Sequence, residues 1–170
     1  MGRDGRPVVS YGQLNMKRLC WLLTALLSPA LAQPTPHLEE QLLSLLNEAR
    51  ARGVACRGGG GGYSLPPLRH QATLAKVAKG HALNMGRHGF VSHYFRGVGP
   101  RVRVARAGYG YLRMSEIIFR GRSSDPVRAV RWWLRSPVHC RAIMNPYYTE
   151  AGAGLSRVGH AWAVVLAQPR

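Results

Sequence analysis

The feature that most constrains this chain is a segment near its N-terminus, residues 16–32, that has the layout of an export signal. A Lys-Arg pair near its start is followed by a short apolar run, and the sequence Ala-Leu-Ala ends it at Ala32. This order is typical of a secretory signal peptide. The run is shorter than the roughly 20 apolar residues of a membrane-spanning helix. The alternative, a buried amphipathic helix, fits less well because the run is apolar on all sides and a proline-rich stretch follows.

The signal divides the chain into three parts. Residues 1–32 form an N-terminal extension and signal peptide, residues 33–41 a proline-rich lead-in, and residues 42–170 one domain. We predict that the mature chain begins at Gln33, retains no stable transmembrane segment, and is a monomer outside the cell or in the periplasm. Residues 33–170 have the size of a single domain with its own core, which needs no metal to fold.

Export also decides how the cysteines are interpreted. Cys20 leaves with the signal peptide, so Cys56 and Cys140 remain as an even pair. Exported proteins mature in an oxidising compartment, where such a pair forms a disulfide. A Cys56–Cys140 bond would close a loop of more than eighty residues, worth about 4 kcal/mol in the chain-entropy model. Two unpaired buried thiols are the alternative.

The exported part is strongly basic. Residues 1–32 contribute +3 of the formal net charge of +17, which leaves +14 on residues 33–170. Nearly all of this charge is arginine, since Lys76 and Lys79 are the only lysines after the signal. Such a charge favours anionic surfaces, including envelope polymers, lipid headgroups and nucleic acid. The arginines form no single block along the chain, however, and a high-GC genome together with solubility would explain them equally well.

Hydrophobic periodicity predicts an α+β domain with several helices and a few late antiparallel strands. Asp125 is a suitable N-terminal cap for the last predicted helix. The glycine run at residues 58–62 lacks the Lys-Ser/Thr pair of a phosphate loop and is predicted to be a flexible loop. The predicted helices are Leu38–Arg52, Thr73–Arg87, Val102–Ala107 and Pro126–Leu134, and the predicted strands are Tyr111–Phe119, Glu150–Leu155 and His160–Ala167.

An ordered set of short motifs covers the chain from about residue 42 to its end. Together they resemble bacterial members of the CAP superfamily, also called SCP-like domains. This resemblance implies an α-β-α sandwich, with a small antiparallel sheet between helices and a groove lined by two histidines and a glutamate. The motifs are Leu46-Asn47-Glu48-Ala49-Arg50, Phe90-Val91-Ser92-His93, Arg103 to Tyr109, Trp133 to Cys140, Ile143-Met144-Asn145-Pro146, and Glu150 to Gly154 followed by Trp162.

Carried over residue by residue, the resemblance assigns His93, Glu116 and His139 to the groove. Two imidazoles and a carboxylate that converge in a cleft can bind a divalent metal such as zinc and leave one position open. They can equally hold a water molecule or a polar ligand head by hydrogen bonds. The three residues follow each other at intervals of 23 residues, so only the folded chain can bring them together.

Two asparagines of the family pattern are missing from this sequence. Ile117 follows Glu116 where the family has asparagine, and Ala142 stands where a second asparagine is usual. Because outer hydrogen bonds orient metal ligands, these losses lower the metal affinity that we expect, and no metal is required for the fold.

Three functions are compatible with this sequence. The favoured one is a secreted, non-enzymatic binding module for a lipid-like or envelope ligand, with metal as an optional aid. The alternative is a metal-assisted hydrolase that uses His93, His139 and Glu116, for which Glu150 is the only spare acid. The third is polyanion binding through the arginines.

Overall fold

The computed structural model describes Met1 and residues 37–170; the predicted signal peptide and its cleavage site lie outside the described residues. None of the helices in this described part has the length and apolar character required to cross a bilayer. A short 3-10 turn at Val158–His160 links the last two strands. The elements are α1 (Leu38–Ala51), β1 (Arg69–His70), α2 (Ala72–His88), α3 (Pro100–Arg106), β2 (Tyr111–Arg120), α4 (Pro126–Arg135), α5 (Pro137–Ile143), β3 (Glu150–Ser156) and β4 (Ala161–Pro169).

Local sequence signals set the helix ends. The Gln71 side chain accepts a hydrogen bond from the backbone of Leu74 at the start of α2, and Gly89 ends this helix with a φ of 70°. Asp125 caps α4 as predicted, accepting a bond from the Val127 N–H at 2.8 Å. Ser136 is extended, with φ −89° and ψ 121°, because the residue before a proline disfavours the helical region. This break separates α4 from α5.

The sheet has the strand order β1-β3-β4-β2. The pairs β3–β4 and β4–β2 are antiparallel, as predicted, whereas β1 adds a two-residue parallel pair with β3. β1 is too short to produce an alternating pattern, which is why the sequence did not indicate it. β2 stands at one end of the strand order.

The sheet lies between two layers of helices, so the predicted α-β-α sandwich is confirmed. We call the side covered by α1, α4 and α5 the disulfide face, and the side covered by α2 and α3 the glycine face. Large side chains fill the disulfide face, among them Trp133, Trp162 and Leu46, whereas alanines of β4 dominate the strand side of the glycine face. The strands contribute alternate residues to the two faces, as a β-strand must.

On the disulfide face, two long-range interactions, a disulfide and a set of hydrogen bonds, join α1 and its loop to the C-terminal part of the chain. Cys56 and Cys140 form the predicted disulfide, with Cα atoms 5.7 Å apart. Arg50 is 1% exposed, and its guanidinium donates hydrogen bonds to four backbone carbonyls and, in the part of the chain that the structure describes, to no carboxylate. These carbonyls belong to Pro66, Ile143, Asn145 and Tyr148, at 2.7–3.1 Å.

On the glycine face, close packing holds α2 against β3. A Cβ atom on Gly152 would overlap the backbone at Ala75, and one on Gly154 would overlap the backbone at Lys79. Helix α2 therefore approaches β3 at backbone contact distance, which only glycine permits at these positions. This approach fixes the position of α2 and of the loop that follows it.

Candidate functional site

A groove runs along β2 on the side of the loop between α2 and α3. Its cavity of about 490 Å³ is lined by residues from 93 to 102 and by residues 114–116 of β2. Tyr94 and Val102 are the exposed apolar residues of its rim, at 62% and 43% exposure. The loop therefore forms one wall and the strand the other.

Glu116 is the buried acid of this groove. Its side chain is 0% exposed, and both oxygens are engaged. Oε1 contacts His93 Nδ1 at 2.9 Å, and Oε2 accepts a hydrogen bond from Arg103 at 2.7 Å. A carboxylate at this depth needs such partners because its desolvation is costly.

Arg103 also shapes the loop that carries His93. One guanidinium nitrogen donates to the His93 carbonyl at 3.0 Å and to the Val98 carbonyl at 2.8 Å, while the other holds Glu116. The arginine thus joins α3, the loop and β2 in one network. The sequence placed Arg103 in a family motif but did not indicate this role.

Beneath Glu116 lies a second histidine that the sequence analysis did not assign to the site. His81 of α2 is fully buried, and its Nε2 donates to the Ser92 carbonyl at 2.8 Å and lies 3.9 Å from Glu116 Oε1. Burial lowers the pKa of His81 below its usual value, and the charge of Glu116 opposes this shift only in part. The sequence could have indicated this burial, because His81 lies on the apolar face of α2, beside Val77, Ala78 and Ala82.

His139 reaches the site from the disulfide face, at the start of α5. Its Nδ1 forms a hydrogen bond with Ser136 Oγ at 2.8 Å, and its ring lies 5.0 Å from that of Trp132. Burial lowers the pKa of His139, and a positive charge on His93 lowers it further. The structure thus brings His93 into contact with Glu116 and places His139 within electrostatic range of His93, but not in contact with Glu116.

The hydrogen bonds limit what the site can do chemically. In both His93 and His139, Nδ1 is engaged and Nε2 is left available, which is the arrangement of an oriented metal ligand. Glu116, by contrast, is already paired with a guanidinium. Within residues 37–170, no group of three or more His, Cys, Asp or Glu side chains is arranged to hold a metal. Each of the two imidazoles thus leaves one ring nitrogen without a partner among the described residues, whereas both oxygens of Glu116 are engaged.

Glu150, the spare acid of the hydrolase hypothesis, is committed elsewhere. Its oxygens contact Arg69 at 2.8 Å and the Tyr109 hydroxyl at 2.7 Å, and it does not line the groove cavity. Burial raises the pKa of the Tyr109 hydroxyl, and the hydrogen bond to Glu150 raises it further. Glu150 thus anchors the start of β3.

Comparisons with known sequences agree with the fold. The model of the CAP family, described as the cysteine-rich secretory protein family, matches residues 43–168. An uncharacterized protein of Borreliella burgdorferi is 30% identical over 134 residues, which cover 76% of this chain and 80% of the relative. The uncharacterized protein YkwD of Bacillus subtilis is 26% identical over 125 residues, covering 73% of this chain but 44% of the relative. The chain therefore spans less than half of that relative's length.

Solved structures give the same result. An extracellular protein of Bacillus anthracis that contains an SCP domain superposes with a TM-score of 0.66 at 26% identity, covering 77% of this chain and 40% of that one. An outer surface protein from Borrelia burgdorferi also has a TM-score of 0.66, at 24% identity, and the match covers 78% and 93% of the two chains.

Proposed function

Because the chain belongs to the CAP family of cysteine-rich secretory proteins, we propose that it is an exported binding module whose groove along β2 holds the ligand. Export is supported by the signal-like segment at residues 16–32 and by the disulfide. It is also supported by similarity to an extracellular protein and to an outer surface protein. We retain residues 1–32 as the leader and residues 42–170 as the binding domain.

The observation that carries this proposal is the cavity of about 490 Å³ with a polar floor and an apolar rim. The volume lies in the range of small-molecule sites. His93 and Ser115 present polar groups, while Tyr94, Val102 and Met114 present apolar ones. A ligand with a polar head and an alkyl chain fits this division. We therefore favour a lipid-like molecule or an envelope component that carries one.

Binding is favoured over hydrolysis because the acids are committed. A hydrolase needs a base within hydrogen-bond reach of an attacking group. Glu116 is paired with Arg103 and His93, and Glu150 with Arg69 and Tyr109. His139 contacts a serine hydroxyl and, among the described residues, no carboxylate that would orient it.

A divalent metal is an accessory in this proposal. The Nε2 atoms of His93 and His139 would hold it, with solvent or ligand oxygen completing its coordination. Two imidazoles without a carboxylate give a weak site. The metal would supply a positive centre for the polar head of the ligand.

The groove is tested by titrating the purified protein with dodecanoate in a calorimeter. We expect one bound molecule per chain, and we expect Val102→Asp, which places a charge on the apolar rim, to weaken binding about tenfold or more. Leu112→Asp is the matched control because Leu112 is 62% exposed on β2, the strand along which the groove runs, but does not line the cavity. Equal weakening by both substitutions, or no binding to the parent, would contradict the proposal.

The metal is tested separately by zinc titration. The double variant His93→Ala/His139→Ala should lose zinc binding, whereas His37→Ala/His70→Ala, which removes two exposed histidines, should retain it. Binding to the parent should weaken as the pH falls, because protons compete for the imidazole nitrogens. Zinc uptake that survives the groove double variant would assign the metal to adventitious surface histidines.

A further inference from the structure

A second cavity, separate from the groove, lies on the outer side of α4. Its volume is about 620 Å³, and its polar lining consists mainly of the side chains of Arg122, Arg128, Arg131 and Arg135. The rings of Phe119 and Trp132 complete the wall. We call this the arginine cavity.

The helical period of α4 explains why these arginines meet. Arg128, Arg131 and Arg135 lie three and four residues apart, so they share one face of the helix. The opposite face is buried through Ala129, Val130 and Trp133. Arg122 joins the cluster from the turn after β2, six residues before the nearest helical arginine. The fold thereby concentrates charges that look scattered along the sequence.

Within residues 37–170, no acidic residue forms an ion pair with these arginines. None of the four guanidinium groups forms an ion pair or a hydrogen bond with another residue of the described part. Asp125 is the acid nearest in sequence, and its carboxylate caps α4 at the Val127 N–H. The other described acids contact partners outside the cavity, as Glu48 does with Arg52. A concave surface of one charge sign raises the local concentration of counter-ions.

The aromatic wall adds a preference for shape. Trp132 is 48% exposed, although it lies on a helix whose other tryptophan is fully buried. The centre of its ring lies 5.6 Å from that of Phe119 and 5.0 Å from that of His139. An exposed indole beside guanidinium groups offers a flat apolar surface next to charged groups, and an aromatic ring or the C–H face of a sugar can pack on such a surface.

We propose that the arginine cavity binds a ligand that carries two or more closely spaced phosphate groups next to a ring. Guanidinium forks bind phosphate oxygens in pairs, which a lysine cannot do, and all four cationic residues here are arginines. The four arginines gather at one cavity of about 620 Å³. This favours a discrete headgroup over a nucleic acid, which requires a basic track along the surface. This site does not depend on the groove function proposed above.

The test uses tripolyphosphate as the probe and calorimetry as the measurement, at fixed ionic strength. We expect one bound molecule per chain. The triple variant Arg128→Gln/Arg131→Gln/Arg135→Gln should weaken binding about tenfold or more. The control Arg87→Gln/Arg106→Gln/Arg157→Gln removes the same charge from exposed arginines outside the cavity and should weaken binding less than about threefold. Thermal melting of both variants verifies that they are folded.

A second substitution and two further probes identify the source of the phosphate. Trp132→Ala should leave tripolyphosphate binding nearly unchanged but weaken binding of glucose 1,6-bisphosphate, whose ring can pack on the indole. Vesicles of phosphatidylinositol 4,5-bisphosphate in phosphatidylcholine that bind the parent, but not the triple variant, would identify a lipid headgroup as the source. Binding to bisphosphate without binding to vesicles would identify a soluble phosphorylated ligand.

Two results would overturn the proposal. Equal losses in the triple variant and its charge-matched control would mean that diffuse surface charge, not the cavity, attracts the anion. Stronger binding of a single-stranded oligonucleotide than of the small phosphates, with equal losses in both variants, would assign the arginines to nucleic acid.

Discussion

The two faces of the sheet are held together by different means. On the disulfide face, a covalent bond and the guanidinium of Arg50 join segments that are far apart in sequence. On the glycine face, no such fastening occurs among the described residues of α2 and β3, and the two elements meet backbone to backbone at Gly152 and Gly154. The first face tolerates imperfect fit because its long-range bonds are strong, whereas the contact between α2 and β3 depends on fit alone. The pair of Arg103 and Glu116 joins α3 to β2 on this second face, but it does not reach β3.

The histidines of the candidate site are held in place by different faces of the sheet. His81 and the loop with His93 follow from the position of α2, whereas His139 is held by α5, next to the disulfide at Cys140. The geometry of His93 and Glu116 therefore depends on the close packing of the glycine face. Damage to that face should disturb the groove before it disturbs the arginine cavity, which is carried by α4.

The largest effect is expected from Gly154→Ala. The added Cβ overlaps the α2 backbone at Lys79, so helix and sheet must separate, and we expect a loss of about 4 kcal/mol or more in the free energy of unfolding. Gly80→Ala is the control, because a Cβ there meets no atom within 4 Å; it should stabilise α2 by about 0.5–1 kcal/mol. Urea unfolding measures both, and similar midpoints for Gly154→Ala and the parent would disprove close packing.

Arg50→Met tests the fastening on the other face. The substitution leaves four carbonyls without their donor, three of them near the end of the chain, and we expect a loss of about 3–5 kcal/mol. Arg52→Met removes an exposed arginine two positions away and should change stability by less than about 0.5 kcal/mol. Comparable losses in the two variants would show that charge, not the buried bonds, is responsible.

The disulfide should contribute somewhat less. Cys56→Ala/Cys140→Ala opens a loop with a sequence separation of 84 residues, and we expect a loss of about 2–4 kcal/mol, chiefly because the unfolded chain gains freedom. Reduction of the parent with a phosphine reductant should lower the free energy of unfolding by nearly the same amount. A reduced parent as stable as the oxidised one would exclude this contribution.

The smallest expected effect is a pH dependence of stability that arises at His81. Because burial lowers its pKa below 6.5 in the folded state, the unfolded chain takes up the proton first as the pH falls. The stabilising contribution of neutral His81 is complete at pH values above the usual histidine pKa. It is lost as the pH falls from there through the lower pKa that His81 has in the folded state. The melting temperature should therefore decrease from about pH 7.5 to about pH 5.5.

His81→Gln should flatten this profile, while His88→Gln, at an exposed position of the same helix, should retain it. His139, whose pKa is also lowered, accounts for the residual slope. An unchanged slope in His81→Gln would show that the pH dependence of the melting temperature arises from a group outside the glycine face.

Local patterns were sufficient to predict the long elements. α1, α2 and α4 begin and end within two residues of the prediction, because apolar periodicity and residues such as Asp125 and Gly89 mark them. β1 was not predicted, since two residues carry no period. The bonds of Arg50 could not be foreseen either, because their acceptors are backbone atoms contributed by distant segments.

The site was predictable in part. Family resemblance selected His93, Glu116 and His139, and the structure brings the first two into contact. The pairing of Arg103 with Glu116 and the depth of His81 depend on tertiary packing between three elements, which no spacing reveals. Part of the arginine cavity could have been predicted, because Arg128, Arg131 and Arg135 already follow a helical period in the sequence. Arg122, however, joins them only in the folded chain.

The bonds of Arg50 have a consequence for the order in which the molecule folds. Three of its four acceptors lie 93–98 residues downstream, and the disulfide partner of Cys56 lies 84 residues downstream. A chain that emerges N-terminus first cannot complete α1's contacts until the last third has followed. Such non-local closure is slow. A chain exported as we propose would therefore stay unfolded while it crosses a membrane and would acquire its structure on the far side.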